Sequence, residues 1–281
     1  MNMRNSPEII PKPRRWACHK LECFADYLDA YTGVPNDTGT YYLELYAGGG
    51  RCICHGTDCG IDDSSLRALK GRFDRYIFVV KDDGEAESLE RLVAPRGENT
   101  EIITGNCNNA GVIRCLLDRI PRSASSFAFI DPPGYRRLRW RTIERLAVHG
   151  VDWKGNKMDL LIVFPLEMAL LRNLLRPDCQ ASISRLYGNH EWQAIRQRLL
   201  EGKTGPGEGR QDLIELFKIG LKKLGYKYVA DLKPAAFSRQ PFYYLIWASD
   251  SHRGVGILKE VWDRPRYLPC ELMYRRETAN A

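Results

Sequence analysis

Between Tyr41 and Phe164, apolar runs of strand length alternate with stretches of helical period. The runs are YYLELY, YIFVV, EIIT, SFAFID and DLLIVF, and the stretches between them are SSLRALK, EAESLERLV, NAGVIRCLLDRI and WRTIERLAV. A strand that passes through a helix into the next strand comes back parallel, so this order predicts a parallel sheet with helices on both faces. Strands covered on both faces are continuously apolar, as YIFVV and DLLIVF are.

The flanks complete the layout. Trp16, Leu21, Phe24, Leu28 and Tyr31 fall near a helical period, and Gly33, Pro35, Asn36 and Gly39 end it. Before this helix, Pro7, Pro11 and Pro13 predict a flexible, extended arm over residues 1–15, leaving one domain over 16–281. From about 168 to 225 the pattern turns helical, in EMALLRNLL, HEWQAIRQRLL and QDLIELFKIGLKKL, which reads as a helical insertion within the domain. GKT at 202–204 is not a phosphate loop, because that motif needs a glycine where Gln197 stands. YKYVADL and FYYLIWAS then read as an antiparallel pair at the sheet edge, followed by a helix around GILKEVW. Five strands in alternation and a C-terminal antiparallel hairpin predict an α/β, Rossmann-like class I methyltransferase fold, doubly wound around a mostly parallel sheet.

A chain of 281 residues that is 44% hydrophobic can bury a full core of this kind. Its 42 basic against 35 acidic residues give a net charge of +7, which favours a polyanionic partner such as nucleic acid. The apolar runs fall far short of the roughly 20 residues that span a bilayer, so no membrane partner is expected. Nine cysteines, an odd and scattered number, and an N-terminus without an apolar stretch predict a cytoplasmic, reducing setting.

Two motifs fall at strand ends, where ligands of doubly wound sheets bind. LELYAGGG carries Glu44 on the first strand and Ala47, Gly48 and Gly50 in the turn after it. In a methyltransferase site the carboxylate would hold the ammonium of a methionine moiety, and the glycines would leave room for ribose and sulfonium. The bland alternative is a plain strand-to-loop turn. The second motif, FIDPPG, places Asp131, Pro132 and Pro133 after the fourth strand. Two prolines make a rigid turn that aims its carbonyls and the Asp131 carboxylate into the crevice, where they can orient an amine; an ordinary proline turn is the alternative. The two motifs flank the topological switch point of such a sheet.

The chain resembles the three-Cys-motif partner protein family, TcmP, from Trp16 to about Trp262. WACHKLECFADYL, YLELYAGGGR, DDSSLRAL, FIDPPG, WRTIERLA, DLLIVFPLEMALLRNL, RLYGNHEW and FYYLIWAS carry the likeness. The resemblance implies a class I S-adenosylmethionine-dependent methyltransferase fold and a partner with a three-cysteine motif. The C-x3-C-x2-C spacing of a radical-type iron-sulfur protein is absent from this chain itself. Several positions depart from the usual pattern. Val80 stands where an acid would meet the ribose hydroxyls, so Asp82 is expected to substitute, and Asn106 stands where an aspartate would meet the adenine amine. Ser65 replaces a common proline, and Gly134 comes where an aromatic residue follows the prolines, leaving Tyr135 to stack on a base.

Cys52, Cys54, His55 and Cys59 suggest zinc, but C-x-C-x4-C lacks the paired spacing of structural zinc sites, so loop thiols and no metal are expected. Arg136, Arg137, Arg139, Arg141 and Arg145 surround Tyr135 and Trp140, which suits a nucleic acid backbone and an unstacked base. A solvated helix face with Trp140 and Leu146 turned inward fits equally. His19 and Lys20 read as members of a surface helix, and the tyrosines of FYYLIW as those of a half-buried strand. The expected function is methyl transfer to a nucleophile of nucleic acid. Glu44, Ala47, Gly48 and Gly50 would hold the cofactor, Asp82 and Asn106 its nucleoside, and Asp131, Pro132, Pro133 and Tyr135 the acceptor. The alternative is a non-catalytic partner acting in complex with a three-Cys-motif protein, in a mobile-element or defence setting. A hydrolase has no readable nucleophile and base pair.

Overall fold

The computed structural model describes residues 15–33, 39–55, 59–96, 99–150, 157–166, 170–232, 243–251 and 253–263. Of the arm expected over 1–15, residues 1–14 lie outside the described residues while Arg15 begins a helix, and the start of the helical segment at 167–169 and the proline loop at 233–242 also lie outside them.

The main sheet contains β1 (Thr40–Ala47), β4 (Arg75–Val80), β5 (Thr100–Thr104), β6 (Ser125–Ile130), β7 (Asp159–Phe164), β8 (Tyr228–Leu232) and β9 (Tyr244–Ser249), in the order β5-β4-β1-β6-β7-β9-β8. Every pair from β5 to β7 is parallel, and β9 runs antiparallel to both β7 and β8. This is the Rossmann-like class I methyltransferase arrangement that the alternating pattern predicts. A separate two-stranded ribbon, β2 (Arg51–Ile53) and β3 (Gly60–Asp62), follows the glycine turn and was not predicted, because three-residue strands show no period.

Alternating side chains divide the core between the two sheet faces. Leu43, Ile77, Ala128, Ile162 and Ile246 face α4 (Ala110–Leu117), α5 (Trp140–Ala147), α7 (Gln180–Tyr187), α8 (Trp192–Leu200) and α9 (Pro206–Lys223). Tyr42, Phe78, Phe129, Val163 and Trp247 face α1 (Arg15–Thr32), α2 (Ser64–Ala68), α3 (Asp83–Val93) and α10 (Arg253–Asp263). The helical segment expected as an insertion buries Ile183, Trp192, Ile214 and Phe217 in the same core as the strands. It therefore forms part of the layer that covers the sheet. Of EMALLRNLL, the described residues place Leu170 in a π-helical turn and Leu171–Asn173 in a short α-helix, α6.

The first helix departs from its expected surface role. Phe24 stacks on Phe129 at 4.0 Å between ring centroids, Trp247 Nε1 donates to the Tyr27 hydroxyl, and the Tyr31 hydroxyl donates to Asp159 at 2.6 Å. Arg67 on α2 pairs with Glu22 on α1. His19 and Lys20, expected at the surface, are only 9% and 6% exposed.

Candidate active site

The candidate site lies at the carboxyl ends of β1, β4, β5 and β6. The chain leaves β1 outward through β4 and β5, then crosses to β6 on the other side, which makes this the topological switch point. The β1–β4 register shifts between Glu44 and Ala47, where the backbone leaves the sheet for the glycine turn.

Glu44 has no exposed surface, and its carboxyl is held by the Tyr42 hydroxyl at 2.9 Å and the Ser64 hydroxyl at 2.5 Å. Burial, reinforced by the negative charge of Asp63, pushes its pKa up to about 8. It is an acid in mostly protonated form at neutral pH, whereas the sequence suggests a standing carboxylate.

Asp63, which the sequence reading passed over, organises the turn. Its Oδ2 accepts from the Gly50 amide at 2.8 Å, and its Oδ1 caps α2 by accepting from Ser65 and Leu66. The backbone amide of Asp63 donates in return to the Gly50 carbonyl at 3.0 Å. Burial raises its pKa as well. An aspartate before SSLRAL is an N-cap signal, so this residue was detectable as a helix start, though not as the clamp on a loop 13 residues earlier. Gly50 has φ +94, a left-handed backbone that favours glycine, and a Cβ there would stand 2.7 Å from Leu92 Cδ1, the movable end of that side chain. A Cβ at Gly48 would press on the Asp63 carboxylate at 3.1 Å, and the Gly49 carbonyl accepts from Ser88 at 3.1 Å. Ala47, the last residue of β1, is buried.

Val80 is fully buried in the core, which leaves Asp82 as the first carboxylate beyond β4. Asp82 is exposed and its Oδ1 caps α3 through the amides of Gly84 and Glu85. Asn106 is exposed beyond β5, but its Oδ1 already accepts from the amide and the side chain of Asn108. The oxygen expected to meet an adenine amine is thus engaged within its own loop.

At the end of β6, the Asp131 carboxylate is paired with Lys20 from α1 through Oδ2. The lysine side chain is 8% exposed and the aspartate 23%, so the pair is largely withdrawn from water while Asp131 keeps access to the crevice. Lys20 Nζ also lies 5.8 Å from the Tyr243 ring centroid. Pro132 is buried and Pro133 exposed, and the extended Gly134 faces open space, with nothing within 4 Å of a Cβ built there. Tyr135 corrects the sequence reading: it is 2% exposed and packs in the core beneath α5 and α7, so its ring offers no stacking face to a base. Trp140 is buried likewise, which favours the reading with its indole turned inward.

The structure divides the expected cysteine group. Cys54 is disulfide-bonded to Cys18, which ties α1 to the segment after the glycine turn two residues from Lys20. Cys52 is buried and His55 exposed, and no metal-binding group of three His, Cys, Asp or Glu occurs among the described residues.

No family model matches the chain, and no curated protein matches it. Among solved structures it is similar to a protein of Legionella pneumophila, at 12% identity over 94% of this chain and 91% of that one, with a TM-score of 0.48. It is also similar to an O-methyltransferase from Bacillus cereus in complex with SAH, at 10% identity over 86% and 93% of the two chains and TM-score 0.46. A third is a caffeoyl-CoA O-methyltransferase assignment from Staphylococcus aureus, at 12% identity over 85% of each chain and TM-score 0.44. The strand order with its reversed β9 is the chain's own statement of the class I methyltransferase fold.

Proposed function

We propose that this protein is an S-adenosylmethionine-dependent methyltransferase acting on a nucleophile of nucleic acid. The observation that carries the reading is the acidic end of the crevice, where Glu44, Asp63 and Asp131 gather beside the glycine turn of a methyltransferase-type sheet. The donor set fits a cofactor with a net positive charge. When bound, that cofactor supplies an electrophilic methyl group on a sulfonium.

The chain's residues then divide the work. Glu44, which has no exposed surface, would act on the cofactor's ammonium from beneath the crevice surface and give up its proton as the ammonium arrives, because a cation nearby reverses the burial effect that keeps it neutral. Asp63 keeps the turn from collapsing by holding the Gly50 amide. Asp82 would hold the ribose hydroxyls with its second oxygen, since Oδ1 serves the α3 cap. Lys20 fixes Asp131 through Oδ2, so Oδ1 is the atom that meets an N-H or O-H of the acceptor and orients its lone pair. The open space at Gly134 receives the acceptor group. Titration calorimetry with S-adenosylmethionine tests this reading, and the absence of binding at millimolar cofactor would refute it.

Two engaged groups favour a second reading, that of a non-catalytic partner protein. Asn106 Oδ1 is already filled by Asn108, and Tyr135 is buried. The same titration decides, because a partner that only keeps the fold has no need to bind the cofactor.

A further inference from the structure

The outer face of α5 carries arginines that the site does not use. Segment 134–149 contains five arginines against one glutamate. Arg136 pairs with Asp178, but Arg137, Arg139 and Arg141 are exposed, and no carboxylate among the described residues lies within ion-pair distance of them. The backbone that bears them is fixed. The Arg137 carbonyl accepts from the Tyr46 hydroxyl and from Asn108 Nδ2, and the Arg139 amide donates to Asn108 Oδ1 at 3.1 Å. These arginines therefore project from a rigid base at the edge of the site.

The strip continues away from the site. Arg141 and Arg145 are four residues apart, on one helix face and about 6 Å apart along the axis. Arg145 then joins Arg114 and Arg122 in lining a groove of about 540 Å³ between α4 and α5, where Asp118 is the one acidic residue among the described residues of the lining. His149 at this groove is engaged by the Ile120 carbonyl at 3.0 Å, and burial lowers its pKa, so the added charge comes from the arginines.

We infer that this strip, from Arg137 beside the DPPG turn through Arg141 and Arg145 to Arg114, is the track for the phosphodiester backbone of a nucleic acid. The inference deepens the proposed function and rests on it for placing a target base at Asp131. The track itself stands on the charge pattern. Guanidinium groups meet phosphates through paired hydrogen bonds, and a row of them on a fixed backbone selects a linear polyanion. Tyr135 and Trp140 are buried, so contact is to phosphates without base stacking, and binding should tolerate sequence and weaken steeply with salt. A protein partner would need an apolar anchor, and among the described residues along this strip only Val148 offers one, at 60% exposure.

The test is fluorescence anisotropy with labelled 20-nucleotide single-stranded RNA, single-stranded DNA and duplex DNA, from 50 to 300 mM KCl, without cofactor. The wild type is compared with Arg141→Glu/Arg145→Glu, with the milder Arg141→Gln/Arg145→Gln, and with Lys222→Glu/Lys259→Glu, which changes net charge equally from exposed positions on α9 and α10. Loss of two phosphate contacts should weaken binding at least tenfold at 100 mM salt in the first variant and lower the log-log salt slope by about 1.4 to 1.8 in the neutral one. The lysine variant should stay within twofold. Equal weakening in the lysine variant, or no wild-type binding to any probe at 50 mM salt, overturns the track. Parallel cofactor titration keeps the two failures distinct: nucleic acid binding without cofactor binding sinks the methyltransferase reading alone, and cofactor binding without nucleic acid binding sinks the track alone.

Discussion

The proton on Glu44 gives the proposed cofactor site a calorimetric signature. Buried without exposed surface, bonded to Tyr42 and Ser64, and lying in the field of Asp63 and Asp131, this carboxyl has its pKa pushed up to about 8. A ligand ammonium would stabilise the carboxylate and bring the pKa back to or below its ordinary range. Cofactor binding should then release about 0.9 of a proton at pH 7, about half a proton at pH 8 and about 0.1 at pH 9, the fraction protonated beforehand in each case. By the same linkage, affinity should weaken about tenfold for each pH unit below 8.

The assay is titration calorimetry at fixed pH in buffers of different ionisation enthalpy, where the slope of observed heat against buffer enthalpy counts the protons released. Glu44→Gln keeps the shape of the neutral acid and should bind more weakly, with no proton release and no pH dependence from this position. Asp63→Asn separates the neighbouring carboxylate, whose pKa burial also raises. A buffer-independent heat for the wild type at pH 7, or equal release in Glu44→Gln, would refute the assignment of the ammonium to Glu44. The same shift bears on stability. A folded pKa above the unfolded one makes protonation favour the native state, so stability is greatest below about pH 4.5 for this group and falls by about 1.4 kcal/mol per pH unit up to about 8. Glu44→Gln should lack that fall.

Asp131→Asn should bind cofactor within twofold of wild type yet transfer methyl groups to nucleic acid on the order of 100-fold more slowly, and unchanged transfer would remove Asp131 from the mechanism. Asp131→Ala is the poorer probe, because it also removes the carboxylate that the buried Lys20 pairs with and should lower stability in denaturant unfolding. Gly50→Ala should lose about 1–3 kcal/mol from its φ of +94, and a urea midpoint equal to wild type would contradict the turn geometry. Asp159, pushed up to about 6 by burial, should make the wild type less stable as pH rises from about 3.8 to 6, and urea titrations of Asp159→Asn should show that slope reduced.

The strands of the main sheet were legible because each apolar run is long enough to show its character and the helices between them force parallel return, whereas the short β2–β3 ribbon was not. The site was legible only where chemistry and turn coincide in one stretch, as in Glu44 to Gly50 and Asp131 to Gly134. Its missing members are set by distance in sequence. Lys20 lies 111 residues from Asp131, and a lysine on an amphipathic helix looks solvated until the helix is seen laid across the sheet with both sides covered. Tyr135 follows the prolines and so looks like a residue of the mouth, but the single turn Tyr135–Arg137 swings its ring under α5. Trp140 finds its place because Gly188 and Gly220, on elements far down the chain, leave room for the indole.

The same distinction governs charge. A sequence identifies Glu44 as ionisable, but its proton is determined by the burial that β1 and β6 impose and by Asp63 from the far side of the ribbon. An acid that is neutral when the crevice holds no cation and ionised when it does couples cofactor occupancy to local charge. Asp131 is already paired with Lys20, so on the proposed reading the charge that changes on binding lies with Glu44 and its neighbour Asp63. On the proposed reading, the end at Asp131 keeps a constant electrostatic setting while the end at Glu44 switches, which is why the proton count, and not the rate, is the sharper test of how the two ends divide their roles.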